Sequence, residues 1–178
     1  ERIERLSTDY SQMLKDEAAI TSEKMHLIDL KTIARSVVDD FNNIYNSKRN
    51  ISINLVLNNK KNYKILGIEN RLEQIIANLL DNSISFSKNN KRIFVELKEQ
   101  DKNKINLSVI DEGEGFKERD TSKIFKRFYS NRPSKFGEHS GLGLNIVKNL
   151  VELHHGTILA SNNKEKSGAK VEIIFPKP

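Results

Sequence analysis

Asn78 and Asn82 stand four residues apart in the run Leu72 to Ser87, Leu-Glu-Gln-Ile-Ile-Ala-Asn-Leu-Leu-Asp-Asn-Ser-Ile-Ser-Phe-Ser. On a helix this spacing lines them up in one row with Gln74. Asn in a helix interior is disfavoured by roughly 0.6 kcal/mol relative to Ala, because its amide competes for backbone hydrogen bonds. Two of them on a core helix call for an explanation. A neutral amide offers an oxygen to a hard cation and an NH2 to a phosphate, without a carboxylate's charge. A solvated stripe in an Asn-rich chain has the same appearance, and the row alone does not separate the two.

Three further stretches have chemistry-bearing spacings. Asp111-Glu112-Gly113-Glu114-Gly115 follows an apolar strand pattern. A carboxylate at a strand end can accept a hydrogen bond from an exocyclic amine such as that of adenine, and glycines let the backbone approach a planar ring. A plain Asp-Gly turn uses the same letters. Ser140-Gly141-Leu142-Gly143-Leu144 leads into a helical pattern. Glycines there expose N–H groups at the positive end of a helix, a cradle for phosphate. A flexible loop that ends in a helix is the alternative. It is neither a Walker P-loop nor a dinucleotide fingerprint. In Phe125-Lys126-Arg127-Phe128-Tyr129 the aromatics can pin a loop while Lys126 or Arg127 reaches a terminal phosphate.

The elements that must position these groups follow from periodicity. Ile3, Leu6, Tyr10, Met13/Leu14 and Glu17/Ala18 sit near heptad spacing, predicting a long amphipathic helix that needs a partner. Thr21 to Ile28 breaks the pattern as a linker. Asp29 caps a second helix with Leu30, Ile33, Ala34, Val37, Val38, Phe41 and Ile44 on its apolar face. Strands are expected at Ile51 to Leu57 and Tyr63 to Ile68, then a helix from about Glu69 to Phe86 with Leu72, Ile75, Ile76, Leu79 and Ser83 inward. Arg92 to Glu99 and Lys104 to Ile110 form a hairpin across Gln100 to Asn103. Residues 112–140 read as a long loop with a short helix at Ser122 to Tyr129, and loops of this length are either functional or disordered. A helix from Leu142 to His154 stops at Gly156, and Thr157 to Ser161 with Ala169 to Phe175 closes the chain as a hairpin. Helices on one face of a mixed, mostly antiparallel sheet give an α+β two-layer sandwich, preceded by the long amphipathic helix.

Composition narrows the classes. The chain has 178 residues, 37% hydrophobic and 30% charged, enough for one large domain or one domain plus an appendage. It opens on Glu1 in mid-pattern, as expected of a segment cut from something longer. No apolar run approaches the ~20 residues of a membrane-crossing helix. With no cysteine, disulfides and thiolate chemistry are excluded. The net charge of +6 comes mostly from lysines dispersed along the chain without interleaved aromatics, so no nucleic-acid partner is expected.

Taken in order, Asn78…Asn82, Asp111-x-Gly113-x-Gly115, Phe125…Phe128 and Gly141-x-Gly143-Leu144 resemble the N, G1, F and G2 boxes of sensor histidine kinases. That family has the Bergerat ATP-binding fold, shared with gyrase, MutL and heat-shock chaperones. The resemblance covers about Asp29 to Pro178. Arg2-Ile3-Glu4-Arg5-Leu6 through Ile20 is similar to the second helix of the family's dimerisation and phosphotransfer hairpin, which divides the chain into residues 1–28 and 29–178. Ser85-Phe86-Ser87 and Tyr129-Ser130-Asn131-Arg132-Pro133 resemble the ChvG-type kinases of α-proteobacteria.

The resemblance implies roles residue by residue. Asp111 would hold the adenine amino group, Asn82 would ligate a Mg²⁺ bridging the phosphates of ATP, and Asn78 would support that ion or a phosphate. Gly113, Gly115, Gly141 and Gly143 would shape the pocket and lid hinges, with Leu142 and Leu144 between and after them. Phe125 and Phe128 would flank the site, and Arg127 would touch the γ-phosphate, the one candidate with a catalytic bearing. Two departures stand out. Many members carry Lys three residues after the second Asn, where this chain has Ser85. The acceptor His of the family lies in a His-Glu/Asp context, and none of His26, His139, His154 or His155 has one. The implied partners are the first hairpin helix carrying that His, a response-regulator receiver domain and a second copy in the full-length homodimer. The implied location is the cytoplasmic portion of a bacterial inner-membrane sensor, and this stretch alone is not expected to label itself. Three other readings compete. Water-activating gyrase or MutL ATPases carry Glu where Asn78 stands. An anti-sigma-factor serine kinase is opposed by the N-terminal amphipathic helix. A pseudokinase that only docks partners is opposed by the intact Asp111, Asn82 and glycine pairs.

Overall fold

The computed structural model describes residues 23–117, 119–126, 143–163, 165 and 167–178. The amphipathic helix expected over residues 1–20 lies outside these, as do Arg127, Phe128, Gly141, Leu142 and the segment 129–133.

A two-stranded ribbon opens the described chain. Strand β1 (His26–Asp29) pairs antiparallel with β3 (Lys64–Gly67), with Leu27 opposite Leu66. The linker expectation for residues 21–28 misses this strand. Four residues carry too short a pattern to read, and the pairing that makes them a strand comes from 35 to 41 positions downstream, where Lys64–Gly67 meets them.

Helix α1 (Leu30–Arg49) begins as the sequence predicts, with the Asp29 carboxylate accepting the Lys31 N–H at 3.0 Å. Leu30, Ile33, Ala34, Val37 and Val38 are buried, whereas Ile44 near the end is 46% exposed. Asn50 ends the helix in the left-handed conformation, φ 51°, as an Asn can. Helix α2 spans Glu69–Phe86, the predicted bounds.

The main sheet has five strands in the order β2 (Ser52–Val56), β4 (Arg92–Asp101), β5 (Lys104–Asp111), β7 (Ala169–Pro176) and β6 (Thr157–Asn162). Only β2 and β4 run parallel, and the other pairs are antiparallel. The period of two settles which face is covered. Ile93, Val95 and Leu97, Ile105, Leu107 and Val109, and Val171, Ile173 and Phe175 point to one buried face. The opposite face carries Lys98, Asn106, Lys170 and Glu172, among them a Lys170–Glu172 ion pair at 3.3 Å. Helices α1, α2 and α3 (Gly143–Leu153) pack on the apolar face, giving the expected α+β two-layer sandwich. Each fully buried Ile or Leu of that layer contributes about 1.5–3 kcal/mol by leaving water.

The end of α2 shows why this sequence is serine-rich there. The last carbonyls of a helix lack intrahelical donors. Ser85 Oγ donates to the Asn82 carbonyl at 2.8 Å, and Ser87 Oγ to the Ser83 carbonyl at 2.8 Å. Arg49, from the end of α1, donates to the Ile84 carbonyl at 2.8 Å and to the Ser87 carbonyl. A cation at the negative end of the helix completes the cap.

Candidate functional site

Asp111 is the last residue of β5 and lies 3% exposed. Its Oδ1 accepts the N–H of Gly113 at 2.9 Å and of Ala169 at 3.1 Å, and the Ser83 hydroxyl also hydrogen-bonds its carboxylate. Burial pushes this carboxyl above the ordinary range, while those three donors pull it part of the way back. Among the described residues no cationic side chain contributes to its electrostatics. A carboxylate offers about four acceptor sites, and three are filled from within the chain. What remains suits one further neutral donor.

The backbone around it packs too closely for a side chain at its glycines. A Cβ on Gly113 would sit 2.7 Å from the Phe86 carbonyl oxygen and 3.1 Å from Asp111 Oδ1. Gly115 has φ +84°, and a Cβ there would meet Asn162 Oδ1 at 2.6 Å. From the opposite side the β6–β7 hairpin closes on the same loop. Ser167 Oγ donates to the Gly113 carbonyl at 2.6 Å, and Gly168 packs so tightly that a Cβ would overlap the Asp111 carbonyl oxygen. Outside, Arg92 makes a forked pair with Glu112, at 3.2 and 3.1 Å, and holds that carboxyl below its usual range.

Helix α2 brings the asparagines to this place. Ser83, bonded to Asp111, is the residue after Asn82, so Asn82 lies one residue along the helix from a side chain that touches the carboxylate. Asn82 is itself buried, at 6% exposure, and Asn78 one turn earlier is half-buried. The polar row is therefore not a solvated stripe. It dips into the fold toward its C-terminal end. Among the described residues no cluster of three His, Cys, Asp or Glu could hold a metal by itself. Neutral amide oxygens fit a cation such as Mg²⁺ that keeps its waters and takes other ligands from phosphate.

The remaining candidates stand at the borders of the site. Phe125, 5% exposed, ends a single 3₁₀ turn, Thr121–Phe125, capped by Asp120. This is shorter than the Ser122 to Tyr129 helix the sequence suggested, within the described residues. The Asn145 side-chain amide donates to the Phe125 carbonyl at 3.0 Å and so joins this turn to the start of α3. Gly143 opens α3, and a Cβ on it would meet nothing within 4 Å among the described residues. Leu144 is partly buried against the core. His154, one of the four histidines weighed as acceptors, is 2% exposed, with Nδ1 2.7 Å from the Leu150 carbonyl and Nε2 accepting the Ile68 N–H at 3.1 Å. Both ring nitrogens are engaged in holding the fold. Sequence reasoning missed Ser83, Asn162, Ser167 and Gly168. Ser83 was counted as part of the apolar face, and a Ser within an apolar helical stripe was the available signal.

Comparison with known proteins agrees with this geometry. A family model described as histidine kinase-, DNA gyrase B-, and HSP90-like ATPase matches residues 67–178. The sensor protein ChvG of Agrobacterium fabrum is 33% identical over 98% of this chain and 31% of its own. The sensor protein kinase PmrB of Pseudomonas aeruginosa is 30% identical over 98% of this chain and 36% of its own. The chain thus spans about a third of the length of these curated relatives. Among solved structures, the catalytic domain of histidine kinase ThkA superposes with a TM-score of 0.75 at 24% identity, covering 87% of this chain and 97% of that one. ThkA in complex with the response regulator protein TrrA gives 0.75 at 21% identity, covering 96% and 48%. At these identities the superpositions speak for the fold.

Proposed function

The chain belongs to the histidine kinase-, DNA gyrase B-, and HSP90-like ATPase family, and from that premise we propose that it is the ATP-binding catalytic portion of a bacterial two-component sensor histidine kinase. The observation that carries this reading is the buried Asp111 carboxylate, with no cationic side chain acting on it among the described residues and with acceptor capacity left over, at the start of a loop whose glycines let the backbone pack closely around it. A neutral N–H donor such as the adenine amine is the partner such a group favours.

The reaction proposed is transfer of the γ-phosphoryl of Mg-ATP to an imidazole nitrogen, then onward to an Asp of a receiver domain. Phosphoryl transfer asks for positioning and charge neutralisation more than for covalent chemistry. Asp111 orients the base, and Asn82 with Asn78 faces the phosphate end, where Mg²⁺ when bound would neutralise the developing charge. Gly113, Gly115 and Gly143 keep the backbone close to the ligand, and Gly141, Leu142, Phe128 and Arg127 belong to the same proposed set. Asn78 cannot serve as a general base, which disfavours water as acceptor. A neutral imidazole is already a competent nucleophile near neutral pH.

In this reading the residues before β1 supply half of a dimerisation hairpin, the catalytic unit begins at β1 rather than at Asp29 because that strand pairs with β3, and the first hairpin helix brings the acceptor His in a homodimer. The whole would be the cytoplasmic part of an inner-membrane sensor. Among the described residues no helix is long and apolar enough to cross a membrane.

The test has two arms. Calorimetric titration with Mg-ATP should show saturable binding, and absence of binding would refute the reading. Incubation with γ-labelled ATP should leave this chain unlabelled, and adding the first hairpin helix should yield acid-labile label on that helix. Acceptor and γ-phosphorus must be held about 3–3.5 Å apart, so free imidazole should substitute poorly.

A further inference from the structure

Asn162 ends β6 on the surface, yet it makes a two-pronged contact with the loop that follows Asp111. Its Oδ1 accepts the Phe116 N–H at 2.6 Å, and its Nδ2 donates to the Phe116 carbonyl at 3.1 Å. A side-chain amide used this way imitates a neighbouring strand: it satisfies both backbone groups of one residue in a loop that has no strand to pair with. The contact fixes the amide orientation, since the donor must face the carbonyl and the oxygen the N–H. It also dictates Gly115, because any Cβ there would meet Asn162 Oδ1 at 2.6 Å on a backbone with φ +84°.

The clamp is tied to Asp111 through the sheet. Asn162 pairs with Ala169 across the hairpin, and the Ala169 N–H donates to Asp111 Oδ1. One short segment therefore fixes the carboxylate at one end and the loop at the other. We propose that Asn162 is a positioning residue, whose amide sets the path of residues 113–116 and thereby the affinity of the site for the base end of a nucleotide. This rests on the ATP-binding reading above.

Two variants separate the clamp from mere bulk. Asn162→Ala removes both prongs. Asn162→Asp keeps volume and the acceptor for the Phe116 N–H but turns an oxygen toward the Phe116 carbonyl. Both should weaken Mg-ATP binding by roughly 5–30-fold, the loss of one or two hydrogen bonds. In the full-length kinase the change should appear in KM with kcat nearly unaltered, since the phosphate end is untouched. In the absence of nucleotide, amide hydrogen exchange at Phe116 should speed up in both variants, while the thermal midpoint stays close to the parent's. Affinity within twofold of the parent in both variants overturns the proposal. Parent-like binding by Asn162→Asp with weak binding by Asn162→Ala also overturns it, because volume alone would then suffice. If the parent itself fails to bind Mg-ATP, the functional reading falls, and the clamp is judged by exchange: unchanged Phe116 protection overturns it.

Discussion

The imidazole of His154, just past the end of α3, accepts the main-chain N–H of Ile68, the N-cap residue just before α2, at 3.1 Å. The two helices that border the site are thus joined end to start by one side chain. The Leu150 carbonyl lies 2.7 Å from Nδ1 and can only accept, so the proton is on Nδ1 and the ring is neutral. Protonation of Nε2 would cost this bond.

That relationship gives a pH dependence with a definite sign. Burial holds His154 below its ordinary value of 6.5; the Leu150 carbonyl opposes this and neighbouring His155 adds to it. The folded chain therefore binds fewer protons here than the unfolded chain. The stability it contributes is present above 6.5 and is lost as pH falls below. Urea midpoints at pH 7.5 and 5.5 should decline for the parent. His154→Phe should cost about 1–3 kcal/mol at pH 7.5, from the unpaired Ile68 N–H, and should show a shallower acid decline. An equal decline in both would place the titrating group elsewhere.

Asp111→Asn separates stability from binding. The Asn oxygen keeps the Gly113 and Ala169 hydrogen bonds, and the desolvated charge is removed. Because the carboxyl is shifted upward, its ionisation in the folded chain opposes folding increasingly as pH rises above its ordinary range. At pH 7 the variant should be at least as thermally stable as the parent. Its new NH2 would face the adenine amine, so Mg-ATP affinity should drop about 5–150-fold, the 1–3 kcal/mol of an unpaired buried donor. Equal affinity by calorimetry would remove Asp111 from the site.

Asn82→Ala addresses the phosphate end. Adenosine binding should remain close to the parent's, while the gain in ATP affinity on adding Mg²⁺ should largely disappear. A Mg²⁺ effect of the same size in both proteins would put the ion elsewhere.

Two glycines should respond in opposite ways. Gly168→Ala drives a Cβ into the Asp111 carbonyl at φ +140°, so backbone strain of about 1–3 kcal/mol adds to the overlap, and the thermal midpoint should fall markedly. Gly143→Ala meets no described residue within 4 Å at the start of a helix and should leave the midpoint unchanged or slightly raised. Weaker Mg-ATP binding by Gly143→Ala despite that stability would indicate a ligand approaching the Gly143 backbone. A midpoint drop for Gly143→Ala as large as for Gly168→Ala would contradict both expectations.

Much of this molecule was legible without its tertiary structure. The bounds of α2, the Asp29 cap, the β4–β5 and β6–β7 hairpins and the end of β5 at Asp111 depend on neighbours within a few positions: a 3.6-residue or two-residue period, a capping oxygen, a turn. Such signals are written locally, so local reading recovers them. Strand β1 was not recoverable that way, because its partner among the described residues is β3, far along the chain. The supports of the site were hidden for the same reason. Ser83 reaches Asp111 across 28 positions, Ala169 reaches it across 58, and Asn162 reaches Phe116 across 46. Sequence determined which residue types were on hand and which face each one took. Only the packing of α2 against β5, and of the last hairpin against the loop after it, decided which polar atoms would lose water together. Burial and hydrogen bonding between distant segments are set by that packing, and no periodicity encodes it.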